Sequence, residues 1–225
     1  MAAQTESSSH AARLCARDSA LSTAAPGLVA RFEVYGPLEA RKLFQQANKG
    51  AHLRPRNPFA DSGINLPLLE DVEFPPRAIT QVNLGVVVLS VLELDGETTK
   101  IPLAFDMRPR SSMSKGERVL LLCNSPALID AGYRGCIQAR IYNPTDKAVR
   151  VERGVALLQV CAPGMPPVYA QYFSTTEAEL AEIASSTERG SGGFGSTGNT
   201  ADSAASGAEA PAEKPKRVPK APKKK

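Results

Sequence analysis

Tryptophan is absent from the 225-residue sequence, and aromatic residues make up only 5% of it. A core must therefore be built from Val, Leu, Ile and Ala, and the 42% apolar content is enough for one domain of ordinary size. No apolar run approaches the roughly 20 residues that a membrane-spanning helix needs, so an integral membrane protein is not expected. The first residues lack the basic, apolar, small-residue order of a secretory signal. Cysteine and histidine are scarce as well, at four and two. Cys15, Cys123, Cys136 and Cys161 form no CxxC pair, so a zinc site is not expected. Cys123, Cys136 and Cys161 lie in apolar runs and are expected to be buried, reduced thiols of an intracellular protein.

What is plentiful is turn chemistry. Eighteen Pro and 17 Gly leave little room for long helices. Charge is present but unevenly placed. Residues 214–225 (KPKRVPKAPKKK) hold seven Lys or Arg and no acid, which turns a formal net charge of +4 for the chain into −3 for the rest. A mildly acidic body with a basic tail is not the pattern of a domain that grips nucleic acid along its surface. No stable nucleic-acid binding is expected.

Residues 1–26 are rich in Ala, Ser and Thr without periodicity and read as a disordered segment. From Gly27 the pattern changes. Leu28 to Tyr35 alternates as a strand and stops at Gly36-Pro37. Ala40, Leu43, Phe44 and Ala47 recur at helical spacing within 38–48. Ile79 to Leu94 reads as one β-rich run closing at Asp95-Gly96, a strong hairpin signal. Further short strands are expected over 100–107, 118–123, 136–142, 147–151, 155–161 and 168–173. Strands about ten residues apart indicate an all-β sandwich, jelly roll or barrel rather than a βαβ sheet. Thr176-x-x-Glu179 is a capping box for a helix of about two turns. Residues 199–225 read as a disordered tail.

Three segments carry candidate chemistry. Glu188 to Gly198 is Gly-rich, so backbone N–H groups can approach phosphate oxygens. In it Arg189 is a bidentate-capable cation, Phe194 an aromatic able to stack on a base, and Ser196 and Thr197 are hydroxyl donors. A flexible linker would have similar composition, and the GK[ST] ending of a Walker A loop is missing. In Asn124 to Gly135, a hairpin can hold a planar ligand against Tyr133 and aim Asp130 at a water; a structural Asp and a packed Tyr would read the same. Arg108 to Gly116 combines Arg110, Ser111 and Ser112 in a way that suits polyphosphate, or forms a solvated basic loop.

Together and in this order, these segments resemble the trimeric deoxyuridine triphosphatases, or dUTPases. Asp61-Ser62-Gly63-Ile64-Asn65-Leu66 with Val72-Glu73-Phe74-Pro75-Pro76 looks like the first motif of that family. Pro109-Arg110-Ser111-Ser112 looks like the second, and Leu128 to Gly135 is a close match to the third. Val155-Ala156-Leu157-Leu158 matches the fourth weakly, and Arg189 to Gly198 matches the fifth closely. The resemblance covers about residues 58–198.

The resemblance implies a jelly-roll-like β-barrel over 27–175, a short helix and flexible catalytic arm over 176–198, and a homotrimer with active sites between subunits. It implies Mg²⁺-dependent hydrolysis of dUTP to dUMP and pyrophosphate, which limits uracil in DNA and supplies dUMP for dTTP synthesis. The metal would be held mainly by the substrate triphosphate, with no dedicated protein ligand. Asp130 falls at the position of the general base, Tyr133 at the ring that packs on deoxyribose, and Asn124 at the uracil-reading position. Arg110, Ser111 and Ser112 fall at phosphate contacts. Arg189, Phe194, Gly195, Ser196 and Thr197 belong to the arm, whose Phe stacks on uracil.

Two departures stand out. Asn65 replaces the usual Asp of the first motif, so a carboxylate is missing, and Asn65→Asp is expected to keep or raise activity. In the fourth motif an ungapped reading puts Gly154 and Leu157 where the family carries Arg and Gln, with Arg153 and Gln159 nearby in another register. The competing functions are a dUTPase-fold regulator that binds nucleotide without turnover, a related dCTP deaminase, which would lack the Gly-rich arm, and, weakest, a nucleic-acid-binding module. The basic tail is expected to address the chain to a nucleus.

Overall fold

The computed structural model describes residues 27–55, 60–94 and 101–193. Strand β1 (Leu28–Gly36) buries Ala30, Phe32 and Val34 on one face, as its alternation predicts. Helix α1 (Ala40–Ala47) follows, and its Phe44 packs on Tyr172 with ring centroids 5.1 Å apart. Then come short strands: β2 (Ile64–Pro67), β3 (Val72–Phe74), β4 (Ile79–Asn83), β5 (Val87–Leu94), β6 (Ile101–Pro102) and β7 (Phe105–Pro109). A 3₁₀ turn over Ser111–Ser114 leads to β8 (Leu121–Leu122), β9 (Ala127–Ile129), β10 (Gln138–Tyr142), β11 (Val149–Val151), β12 (Ala156–Cys161) and β13 (Val168–Ser174). Helix α2 (Glu177–Ala184) has the capping box read from the sequence, with the Thr176 hydroxyl accepting from Glu179 N and the Glu179 carboxylate accepting from Thr176 N.

Among the described residues the strands form four small sheets, ordered β13-β1-β5-β6, β4-β10-β8, β11-β3 and β2-β12-β7-β9. The all-β, jelly-roll-like expectation holds. β13 runs parallel to β1 from Ala30↔Val168 to Gly36↔Ser174, so the last strand closes against the first. One apolar core joins the sheets, and Phe32 and Phe105 meet in it edge to face at 5.5 Å.

Some expectations need correction. The run Ile79 to Leu94 is two strands, because β4 pairs with β10 in one sheet and β5 with β1 in another. The chain changes sheets at Leu84–Val86, where Leu84 N donates to Ile137 O and Ile137 N to Val86 O. The expected turn at Asp95-Gly96 lies outside the described residues, as do segments 1–26 and 199–225. The expected strand over 100–107 is likewise split into β6 and β7. Cys123 is exposed rather than buried, since Leu122 points inward at the end of β8 and its neighbour must point out; Cys161 is buried and Cys136 half-buried.

Removing a fully buried aromatic from this core leaves a cavity. Phe32→Ala is expected to destabilise the protein by about 3–5 kcal/mol, read as a lower urea midpoint at unchanged slope.

Candidate active site

Two groups of predicted residues are brought into defined sites. The first is a cavity of about 600 Å³ whose lining includes Asp61, Asn65, Arg108, Arg110, Ser111 and Gln159. It exists because β12 pairs with β2 on one side and β7 on the other. Arg108 of β7 and Arg110, the first residue past its end, both line the cavity, while Met107 points into the core. Arg108 donates to Asp106 at 2.9 Å, and its Nε is buried without a partner. Arg110 is anchored twice to β12: its N–H bonds Leu157 O and its Nη1 bonds Ala156 O, both at 2.8 Å. The Ser112 hydroxyl also donates to Ala156 O, at 2.7 Å, so Ser112 braces the turn, while Ser111 faces the cavity.

Gln159 reaches the cavity through an irregularity in β12. The pairing with β2 jumps between Ala156↔Pro67 and Leu158↔Leu66, so Leu157 is an extra residue. Ala156, Leu157 and Leu158 are all buried, and the strand resumes with Gln159 opposite Asn65. Leu157, which the ungapped register puts at the family's Gln, is buried, whereas Gln159 lines the cavity. Arg153 is held elsewhere, its N–H on Asp71 and its Nε on Leu69 O at 3.0 Å. The Arg150 hydrogen bond and then the Arg153 N–H keep the Asp71 carboxyl below its ordinary range. A Cβ on Gly63 would lie 2.6 Å from Gln159 Oε1, so the Gln159 amide would have to turn aside to admit a side chain there. Burial pushes the Cys161 thiol at the cavity wall up, partly offset by Arg108.

Asn65 is clasped by the end of α1. Its Nδ2 donates to Ala47 O and its N–H to Asn48 Oδ1, both at 2.7 Å. Asn48, buried, returns a bond to Asn65 O at 2.8 Å and caps Phe44 O. These bonds reverse the expectation for Asn65→Asp. A carboxylate cannot donate to Ala47 O and would meet the negative, carbonyl end of the helix.

The second site is built around Asp130, after β9. β8 and β10 pair antiparallel, so residues 124–135 lie in the wide connection of that hairpin, and β9 within it pairs with β7. Asp130 is exposed, and Arg189 Nη2 lies 3.1 Å from its Oδ2. The Tyr133 N–H bonds Asp130 O, and its hydroxyl donates to Cys136 O at 2.9 Å, fixing a half-buried ring. Burial, first, and nearby Cys136 push the Tyr133 hydroxyl pKa up, so it stays a neutral donor. Asn124 is exposed in the loop before β9. Phe194, Gly195, Ser196 and Thr197 lie outside the described residues.

The two sites are separated within one chain. Phe105 pairs with Ile129, so Asp130 stands level with residue 104. Arg110, one residue past the other end of β7, is six residues further on, a backbone path of about 20 Å at ~3.3 Å per residue. Sequence reading did not name Arg108 or Gln159 as site residues, although Arg108 opens the polyphosphate-suited segment and Gln159 lies near the fourth motif in another register; nothing in the sequence marks the bulge that precedes Gln159.

The sequence model of the dUTPase family matches residues 50–198. The deoxyuridine 5'-triphosphate nucleotidohydrolase of Gloeothece citriformis is 35% identical over 130 residues, spanning 58% of this chain and 77% of that protein. The one of Picosynechococcus sp. is 32% identical over 102 residues, 44% of this chain and 63% of that protein. The crystal structure of the dUTPase from Streptococcus mutans aligns at 24% identity and a TM-score of 0.35, covering 48% of this chain and 80% of that one.

Asn65→Asp is expected to cost about 1–3 kcal/mol of stability and to lower turnover, whereas Asn65→Gln should lose stability through poorer clasp geometry and Asn48→Ala through loss of the bonds to Phe44 O, Asn65 O and Asn65 N. Thermal melts of the three variants check this; an Asn65→Asp protein as stable as the parent contradicts it.

Proposed function

The chain belongs to the dUTPase family, and from that premise we propose that it hydrolyses dUTP to dUMP and pyrophosphate. The observation that carries the reading is that the family match spans both the Arg-lined cavity and the Asp130 loop. The cavity offers what a triphosphate requires: Arg108 and Arg110 as cations, the Ser111 hydroxyl and the Gln159 amide. Asp130 is an exposed carboxylate able to orient and deprotonate a water for attack on the α-phosphorus. Tyr133, its ring fixed through Cys136 O, packs where a ribose 2′-hydroxyl would have to sit. Asn124 has an exposed amide free to read the uracil edge. Phe194, by the family resemblance, stacks on the base.

The 20 Å between Arg110 and Asp130 supports assembly of the protein as a homotrimer. One triphosphate cannot be gripped at the cavity and attacked from Asp130 of the same chain, so the cavity of one subunit is completed by the Asp130 loop of another. Mg²⁺ is the proposed cofactor, and the cavity suits a metal carried in by substrate. Asp61 is the one carboxylate among its lining residues, fewer than an all-protein site for this ion needs. When bound, Mg²⁺ supplies neutralisation of the triphosphate charge, and Asp61 is the residue that would help hold it. The basic segment 214–225 is proposed to direct the chain to a nucleus. Fusion of residues 199–225 to a fluorescent protein tests this, and uniform cytosolic signal discards it.

Pyrophosphate release from dUTP with Mg²⁺, compared with dCTP, dTTP and UTP, tests the function. Turnover on dUTP with little on UTP is expected. Asp130→Asn should lose at least ~100-fold in turnover with substrate affinity little changed. Equal turnover of UTP and dUTP would remove Tyr133 from sugar selection.

A further inference from the structure

A second cavity, of about 520 Å³, lies beside α1, apart from the Arg-lined one. Helical spacing brings Arg41, Phe44 and Asn48 to one face of α1 and its end, and that face forms one wall. Tyr172 of β13 forms another, and the loop after α1 adds Lys49 and His52. The walls are fastened to one another. Ala170 N donates to Ala51 O at 2.7 Å, which ties the loop to β13. The Tyr172 hydroxyl donates to Pro37 O at 2.8 Å, and its ring packs on Phe44. Burial, first, and Glu39 push that hydroxyl up to about 12, so it remains a neutral donor.

The charge of this cavity is of one sign. Arg41, Lys49 and His52 are exposed, and none of their side chains has an ion pair or hydrogen bond among the described residues. No carboxylate is among the described residues that line it. Unpaired basic groups above an aromatic floor complement a small molecule with a planar body and an anionic end, and the volume falls in the range of small-molecule sites. One side chain links the two cavities. Asn48 lines this one, and its amide holds both the N–H and the C=O of Asn65, which lines the phosphate cavity.

We propose that the cavity beside α1 binds a small aromatic anion, and that its occupancy is felt at Asn65 through Asn48. The basic side chains take the carboxylate, sulfonate or phosphate, and the ring lies over Phe44 and Tyr172. A molecule seated there bridges α1 and β13. It thereby stabilises the helix end whose Asn48 amide and Ala47 carbonyl clasp Asn65. The coupling is reciprocal: whatever fixes Asn65 in the phosphate cavity tightens the site beside α1.

The probe is 8-anilinonaphthalene-1-sulfonate, titrated by fluorescence into the full-length protein. Saturable binding at one site per chain is expected. Arg41→Glu and Lys49→Glu should each weaken it about tenfold or more, the scale of one lost charge-assisted contact. Both residues are exposed, so the variants should melt as the parent does. Arg110→Ala should leave the affinity unchanged. Binding that ignores both charge reversals, or that is lost in Arg110→Ala, overturns the site. Hydrogen exchange read by mass spectrometry tests the link. A saturating probe should slow exchange about fivefold or more in peptides covering 44–52 and 63–66, with 124–135 unchanged. Slowing confined to 44–52 overturns the link to Asn65. Neither readout uses a nucleotide, so both stand whether or not the chain hydrolyses dUTP.

Discussion

The phosphate cavity depends on how β12 is paired. β12 lies between β2 and β7, and all three strands present cavity residues only because both ladders hold at once. The extra residue at Leu157 keeps three consecutive side chains in the core and then turns Gln159 toward the cavity. The same stretch of backbone supplies Ala156 O and Leu157 O, which fix Arg110 and Ser112. Lose the bulge, and the pleat returns every later side chain of β12 to the opposite face. Gln159 would then point into the core and a buried leucine or valine into the cavity.

The other wall of the cavity is set by polar bonds rather than by ladder register. The Asn48 side chain satisfies both the N–H and the C=O of Asn65, while the Asn65 amide takes up the Ala47 carbonyl at the end of α1. A buried donor and acceptor pair of this kind is costly to break, because each group left behind has no water to turn to. The amide at position 65 is thus explained by its neighbours. The helix end that braces the strand leaves no place for the carboxylate that the family usually carries, and the remaining acid of the cavity, Asp61, stands on the loop before β2.

Much of this was legible in the sequence. The strand over Leu28 to Tyr35, the helix over 40–47 and the capping box at Thr176 are local patterns, and each formed as its periodicity or spacing dictated. Asp130, Tyr133 and Arg189 came from motif resemblance, and Asp130 and Arg189 are in contact. What could not be read was non-local. The split between β4 and β5 depends on which distant strand each half finds. The bulge depends on β2, some ninety residues earlier in the chain. The clasp on Asn65 depends on a helix end that no spacing rule connects to it. Cys123 shows the limit of composition: an apolar run says that a strand is half buried, while only its register says which half.

The parallel pairing of the first and last strands has a practical consequence for handling the molecule. Because Gly36 lies beside Ser174 and Ala30 beside Val168, the chain enters this sheet at one end and leaves it at the other. Leu28 is thereby separated from the departure point of α2 by eight residues of strand, or about 25 Å. An affinity handle, surface anchor or fused domain placed ahead of Leu28 is attached at the end of the sheet remote from that departure point. The same cargo placed just after Ser191 would be attached close to Arg189, which pairs with Asp130. Immobilisation for binding measurements therefore belongs at the amino-terminal side.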